Sequence, residues 1–104
     1  PCVICLAVSV DKDVGAILES LDRIAEHYIL TQFDNPRALE LESLCSAAGD
    51  RSFEREKTVA GAIARGMACA VERKLPLLIA GSVFLAGEAR GILSKTYGAP
   101  PIHF

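Results

Sequence analysis

The chain has 104 residues, a formal net charge of −2 and a sequence pI of about 5.6. This length suits one small domain, which we take to span residues 1–104. The charge is unlike the basic footprint of nucleic-acid-binding proteins, and no apolar run approaches the roughly 18 residues needed to cross a bilayer. We therefore expect a single domain that binds neither nucleic acid nor membrane, and we find no signal-peptide pattern.

The four cysteines are candidates for a redox or metal site, because Cys2 and Cys5 have the C-x-x-C spacing. Both lie in an apolar run that is typical of a strand, so their side chains point to opposite faces. Cys45 and Cys69 fall within helical patterns. We predict buried, reduced structural thiols, as in a cytoplasmic protein, and no metal site.

The N-terminal third predicts a strand, a helix and a second strand. Residues 3–10 form an apolar, β-branched run, as in a strand buried on both faces of a parallel sheet. Asp13 is a good N-cap for an amphipathic helix over 14–26, with His27 at its end. A short strand is expected at 28–32.

The middle of the chain predicts a second helix. Asn35 is placed as its N-cap and Pro36 as its first residue, and Gly49 is a suitable residue to end it. Residues 52–54 are compatible with a short strand.

The C-terminal half predicts two more helices and another buried strand. The helices are expected over 58–73 and 83–96, and the strand over 76–80. Residues 102–104 are compatible with an edge strand. The residues expected on the inward face of the first of these helices are Val59, Ile63, Met67 and Val71.

Alternation of apolar strands with helices is the pattern of an α/β protein. We predict a three-layer αβα, Rossmann-like domain with a mostly parallel sheet.

Ligands of such folds collect at the carboxyl ends of the strands. Polar residues follow three predicted strands, at 11–13, 31–37 and 81–82. Lys12 and Arg37 carry positive charge that suits a carboxylate or a phosphate. These turns are therefore candidates for a small-anion crevice.

The third turn adds a possible anion site at a helix N-terminus. Gly81 allows close approach to the backbone, and the free N–H groups at Ser82 and Val83 favour an anion. The alternative is purely structural: Gly81 makes a tight turn, Ser82 caps a helix and Lys12 is a solvated loop residue.

Several other motifs lack residues that their function requires. Gly61 and Gly66 have the glycine spacing of a phosphate loop but lack the following lysine, and no G-x-G-x-x-G occurs. Ser82 lacks the G-x-S-x-G context of a hydrolase nucleophile. His27 and His103 are too far apart in sequence to suggest a metal site.

Residues 80–90 read AGSVFLAGEAR. This block resembles the last motif of folylpolyglutamate and dihydrofolate synthases, which belong to the Mur ligase group. Two further segments resemble this family in their order and spacing. They are the D-K-D loop at 11–13, and a strand at 29–31 that leads to Pro-Arg-Ala at 36–38. Together these segments cover nearly all of the chain from residue 3 to residue 96.

The resemblance implies an ATP-dependent ligase that activates a substrate carboxylate as an acyl phosphate with magnesium, after which the amine of L-glutamate attacks. In this family the C-terminal domain closes over ATP and helps to hold the incoming amino acid. Lys12 and Ser82 would lie near the glutamate carboxylates, and neither would be catalytic. The D-N-P-R run at 34–37 resembles a motif of cell-wall tripeptide ligases, which makes Arg37 a third candidate.

Parts of the family pattern are missing from this chain, including the phosphate loop, the magnesium ligands and the D-G-A-H-N-P segment. We therefore expect a fragment that lacks the first strand and helix of its domain, and that is inactive without a central ATPase domain. ATP and magnesium would bind mainly outside it. The sequence does not decide whether the molecule that receives glutamate is folate, dihydropteroate or both. The alternatives are a UDP-MurNAc-tripeptide-type ligase domain and a non-catalytic binding module.

Overall fold

The computed structural model describes residues 1–81 and residue 91. Its strands are arranged in one parallel sheet of four, with the third strand at one edge, followed by the second, the first and the fourth. Among the described residues, no helix is long and apolar enough to cross a membrane. In chain order the elements are β1 (Cys2–Ala7), α1 (Val14–Leu21), β2 (Ala25–Leu30), α2 (Leu41–Ala48), β3 (Phe53–Arg55), α3 (Val59–Arg73) and β4 (Leu77–Gly81).

The predicted three-layer αβα, Rossmann-like architecture is confirmed. Helix α3 packs on one face of the sheet, and α1 and α2 pack on the other. Each face has its own apolar core, as expected when a parallel sheet is covered on both sides.

Strand β1 lies between β2 and β4, and all six of its residues are buried. Cys5 faces the α3 side and Cys2 the other, so the two thiols point away from each other as predicted. All four cysteines are free and buried. Burial raises the pKa of the Cys5 thiol to about 12, which keeps this thiol protonated and unreactive.

The boundary between α1 and β2 differs from the prediction of a helix over 14–26. Helix α1 ends at Leu21, and the chain is already extended from Ala25. The reason is pairing with β1, in which Ala25 lies opposite Cys2. Tertiary pairing outweighs the helical spacing of the apolar residues here. His27 is accordingly a buried residue of β2 and not the end of a helix.

The predicted helix start at Asn35 and Pro36 is also wrong. The Asn35 side chain instead accepts a hydrogen bond from the Arg37 N–H at 2.9 Å, which forms a local turn. Helix α2 begins at Leu41, whose N–H donates to Gln32 Oε1 at 3.0 Å. A side chain from the preceding loop therefore satisfies one free donor of this helix.

Helix α2 ends where the sequence indicated. Gly49 follows it with a φ of 61°, a left-handed conformation that glycine adopts without a steric penalty. Strand β3 confirms the short strand expected near 52–54, and β4 confirms the strand expected over 76–80.

Helix α3 agrees with the prediction over 58–73. Thr58 caps it by accepting a hydrogen bond from the Gly61 N–H at 3.0 Å. Val59 and Ile63 are buried as expected, but Val71 is 78% exposed, so its predicted inward orientation is wrong. The inward face passes through Gly66 instead, where an added Cβ would lie 3.0 Å from Leu77. Apart from residue 91, the helix predicted over 83–96 and the strand at 102–104 fall outside the described residues.

A hydrogen-bonded cluster ties the end of α1 to β2. Tyr28 Oη donates to Asp22 Oδ1 at 2.7 Å, and the Arg51 guanidinium pairs with the same carboxylate at 2.9 Å. Arg51, more than Tyr28, lowers the pKa of Asp22. Burial is the main cause of the raised pKa of Tyr28.

The lowered pKa of Asp22 predicts a stability term that depends on pH. The unfolded chain binds this proton near the ordinary aspartate pKa of about 3.9. The stabilisation is therefore present above that pH and is lost as the pH falls through the folded-state value. We expect Asp22→Asn to destabilise the fold at neutral pH by less than about 1 kcal/mol, because the carboxylate is largely exposed.

Urea unfolding at neutral pH and near pH 2 measures this term. The wild type and Asp22→Asn should differ at neutral pH and converge in acid. Glu19→Gln, at an exposed position of α1, is the matched control. An equal difference at both pH values would show that the carboxylate charge is not the cause.

Candidate functional site

The loops that follow β1 and β2 are joined at the carboxyl edge of the sheet. Ser9 and Ala38 form an isolated antiparallel bridge between them. The Val10 N–H donates to the Arg37 carbonyl oxygen at 2.8 Å. Two backbone segments that the sequence places far apart are thus fixed to each other.

This joining brings two of the predicted site residues to the same place. Arg37 Nη2 lies 3.2 Å from Asp11 Oδ2, and both side chains are more than half exposed. Lys12 is exposed beside them, with its N–H donating to the Ser9 carbonyl oxygen at 3.2 Å. The Lys12 ammonium makes no ion pair within the part of the chain that the structure describes. Both cations are therefore accessible to a ligand from solvent.

Gly81 ends β4 directly beside the end of β1, where it pairs with Ala7. Its φ is 129°, and an added Cβ would lie 1.7 Å from the Ala7 carbonyl oxygen. Only glycine fits this close approach of two strands. The other two predicted anion-site residues, Ser82 and Val83, lie outside the described residues.

The strand order marks this edge as a ligand position. From β1 the chain builds outward through β2 to β3, and then crosses back to add β4 on the opposite side. The point where the direction of winding reverses lies between β1 and β4. In open parallel sheets, ligands bind in the crevice at the carboxyl ends of the two strands that flank this point. The loop that carries Lys12 follows one of these strands, and Gly81 ends the other.

A cavity of about 520 Å³ lies farther along the same edge, beyond β2. It sits between the loop after β2 and the N-terminus of α3. Sequence reasoning missed it, although the N-cap pattern before α3 was a usable signal. The residues that line it are Gln32, Phe33, Asp34, Leu41, Lys57, Thr58 and Val59.

The cavity presents charges of both signs. Lys57 and the N-terminus of α3 favour a negative group. Asp34 lies in the lining, and Glu56 is close to the same helix end, because a Cβ on Gly61 would lie 3.0 Å from its Oε2. A ligand that carries both an anion and a cation suits this edge better than a simple anion does.

Comparisons with known proteins were made for the whole chain. No protein-family profile matches it. Forty-four per cent of the chain, a stretch of 46 residues, is 44% identical to the dihydrofolate synthase/folylpolyglutamate synthase of Mycobacterium tuberculosis (strain ATCC 25618 / H37Rv), of which it covers 9%.

Two solved structures share the fold and part of the sequence. The M. tuberculosis folylpolyglutamate synthase complexed with ADP and AMPPCP gives a TM-score of 0.84 at 30% identity. The same enzyme complexed with ADP gives 0.78 at 28% identity. Each match covers 97% of this chain but only 24% of the solved chain. The resemblance to folylpolyglutamate and dihydrofolate synthases is therefore confirmed in both sequence and structure, and the chain spans about a quarter of the length of such an enzyme.

Proposed function

We propose that this chain is the C-terminal, Mur-ligase-like domain of a cytoplasmic, ATP-dependent ligase that joins L-glutamate to folate, to dihydropteroate or to both. The observation that carries the proposal is the structural match over 97% of the chain at a TM-score of 0.84. The match covers about a quarter of the solved enzyme, which is consistent with a parent protein in which a central ATPase domain would lie outside this chain. Without that domain the chain is expected to be inactive.

Within such an enzyme, the carboxyl edge of the sheet would hold the incoming glutamate. Glutamate at neutral pH carries two carboxylates and one ammonium group, so it needs partners of both signs. Lys12 and Arg37 are exposed cations of neighbouring loops, and Asp11, which pairs with Arg37, supplies an anion. Arg37 can exchange its surface pair with Asp11 for a substrate carboxylate at little cost, because exposed ion pairs contribute at most about 1 kcal/mol.

The anion site at Gly81, Ser82 and Val83 would take the other carboxylate. Gly81 brings the backbone of β4 close to the end of β1. The direction of winding reverses between these two strands, and ligands bind at their carboxyl ends. Lys12 would then lie between the two carboxylate positions. All these residues bind and orient, and none acts as a nucleophile or a general base.

The nucleotide would be held mainly by other parts of the protein. The solved relatives are complexes with ADP and AMPPCP, which supports ATP as the cosubstrate. Gly61 and Gly66 of this chain lie inside α3 and do not form a phosphate loop. ATP with magnesium would phosphorylate the carboxylate of folate or dihydropteroate, leaving ADP, and this domain would present the glutamate amine, which displaces phosphate from that acyl phosphate. Such orientation can contribute several kcal/mol to lowering the barrier.

We expect Lys12→Ala and Arg37→Ala, in the full-length ligase, to raise the KM for glutamate about tenfold or more. Loss of one charge-assisted hydrogen bond costs roughly 1.5–3 kcal/mol. The KM for ATP should stay unchanged, because the nucleotide lies elsewhere. Initial-rate kinetics with each substrate varied in turn measure both constants.

Arg23→Ala is the matched control. Arg23 is exposed, and it lies between α1 and β2 at the opposite edge of the sheet. Ser82→Ala extends the test to the third turn. An unchanged glutamate KM in the Lys12, Arg37 and Ser82 variants would overturn the assignment of this edge to glutamate.

The D-N-P-R run at 34–37 favours one other function, that of a cell-wall tripeptide ligase. A titration of the isolated chain with L-glutamate, followed by backbone amide NMR, addresses this alternative. Saturable shifts at 11–13 and 34–37 would support glutamate. A lack of saturable shifts at these residues with L-glutamate would count against glutamate as their ligand.

A further inference from the structure

A second cluster of chemically reactive side chains lies under α3, away from the carboxyl edge. His27 of β2, Glu54 of β3 and Cys69 of α3 each direct one potential ligand atom to the same place, and these atoms lie within 4.8 Å of one another. His27 and Cys69 are buried, whereas the Glu54 side chain is about one-third exposed. The cluster is therefore enclosed by protein on one side and reachable from solvent on the other.

The hydrogen bonds of the cluster hold two of these side chains in place. His27 Nδ1 lies 2.7 Å from Ser52 Oγ, and His27 Nε2 lies 2.8 Å from Glu54 Oε2. Arg65 Nε donates to Glu54 Oε1 at 2.6 Å. Arg65 Nη2 also donates to Glu54 Oε2 at 3.3 Å, so both imidazole nitrogens and both carboxylate oxygens have a hydrogen-bond partner.

We propose that His27 Nε2, Glu54 Oε2 and Cys69 Sγ form a binding site for a zinc-class divalent cation. Imidazole, carboxylate and thiolate together favour zinc over magnesium or calcium, which prefer oxygen ligands alone. Three protein ligands leave a fourth tetrahedral position for water.

The geometry needs only a small adjustment. Zinc–ligand bonds of about 2.0–2.3 Å place neighbouring ligand atoms of a tetrahedron roughly 3.5 Å apart. His27 Nε2 and Glu54 Oε2, which lie 2.8 Å apart, would separate by roughly 0.5 Å, and Cys69 Sγ, within 4.8 Å of the other ligand atoms, would approach by about 1 Å. Rotation of the Glu54 carboxylate, which gives up the longer contact from Arg65 Nη2 to Oε2 at 3.3 Å, and a change of the Cys69 rotamer supply movements of this size.

The surrounding residues match what a ligating histidine needs. A metal-bound imidazole usually donates its other N–H to an oxygen atom, which fixes its orientation. Ser52 Oγ is already at hydrogen-bond distance from Nδ1 and can accept a hydrogen bond from the Nδ1–H group. Binding at Nε2 then places the ring proton on Nδ1 and replaces the hydrogen bond to Glu54.

The protons balance on binding. The Cys69 thiol loses its proton to solvent, and Glu54 is already ionised, since its pKa is lowered first of all by the hydrogen bond from Arg65. The cation therefore meets two negative ligands and one positive neighbour.

An ion-pair network without a metal would use only Arg65, Glu54 and His27. The thiol distinguishes the two interpretations, and the chain offers a matched thiol for comparison. Cys45 is also buried on a helix, with an arginine and a glutamate nearby, since Arg55 interacts with it and pairs with Glu42 at 2.8 Å. Cys45 lies on the opposite face of the sheet, and within residues 1–81 no histidine joins it in a potential metal-binding group.

Cobalt(II) titration of the full chain under reducing conditions tests the site, because Co²⁺ reports thiolate and tetrahedral ligation by its absorption. We expect a single equivalent to produce the thiolate-to-cobalt charge-transfer band and tetrahedral d–d bands, and zinc to abolish both. Cys69→Ser and His27→Gln should remove or shift these bands. Cys45→Ser should leave them unchanged.

Two outcomes would overturn the proposal. One is the lack of a charge-transfer band in the wild type at saturating cobalt. The other is a band that survives in Cys69→Ser, which would place the metal at another thiol. If Cys69→Ser proves too unstable to titrate, the side-chain NMR signals of His27 in the wild type decide. Zinc must shift them at a single equivalent, and a chelator must restore them.

Discussion

Replacing Gly81 by alanine is expected to destabilise the fold by about 3 kcal/mol or more. The added Cβ would lie 1.7 Å from the carbonyl oxygen of Ala7, and that oxygen belongs to the backbone of the central strand. The φ of 129° adds strain for any residue with a side chain. The strands β1 and β4 would have to separate at their carboxyl ends. Urea unfolding followed by circular dichroism measures the loss.

Gly15→Ala is the appropriate comparison. Gly15 lies in α1, where an added Cβ would be 3.6 Å from Asp13 Oδ1, an ordinary contact. Alanine is the better helix former, so this variant should be unchanged or more stable by up to about 1 kcal/mol. Similar stability of the two variants would contradict the close approach of β1 and β4.

Leu18→Ala should cost about 2–5 kcal/mol, the usual range for removing a fully buried leucine. Leu18 is the one buried residue of the eight-residue helix α1, and its side chain packs into the core shared with β1 and α2. A helix this short has little stability of its own. Its detachment would also loosen the loop that carries Lys12, because Asp13 caps α1 and follows Lys12 directly.

Two measurements follow this effect. Chemical denaturation gives the loss of stability, and amide hydrogen exchange shows whether protection falls first in residues 9–21. Leu21→Ala, at a half-buried position of the same helix, should lose less. Equal losses in both variants would mean that Leu18 is not the main anchor of α1.

The sequence was sufficient to predict the elements whose local pattern and tertiary role agree. Strand β1 is apolar throughout and is buried on both faces, so its sequence pattern and its place in the sheet agree. Helix α3 begins at a threonine cap and has the expected length. In such elements, the local preference and the overall fold favour the same structure.

The predictions failed where the local sequence pattern and the tertiary contacts favour different structures. Ile24 and Ala25 continue the helical spacing of α1, yet the chain is already extended at Ala25 because β2 pairs with β1 there. Asn35 and Pro36 are good helix-starting residues, but the backbone after them is held by the bridge between Ser9 and Ala38. In both cases the decisive partner is distant in sequence, and local patterns carry no information about it.

The candidate sites show the same division. Lys12 and Arg37 could be placed at one edge because parallel strands end on the same side of their sheet. The cluster of His27, Glu54 and Cys69 could not be predicted from the sequence. It depends on the register in which Tyr28 lies opposite Phe53 and on which face of α3 packs inward. Neither the strand register nor the inward face of the helix can be predicted from residue spacing alone.

The pairing of Val3 with Leu77 has a consequence for synthesis of the protein. Strand β1 leaves the ribosome long before β4 exists, so one side of a fully apolar strand stays without its partner while the rest of the domain is made. Contacts between distant parts of a chain also slow folding. We therefore expect nascent chains that stop before residue 77 to associate with one another or with chaperones, and the sheet to close only after β4 has emerged.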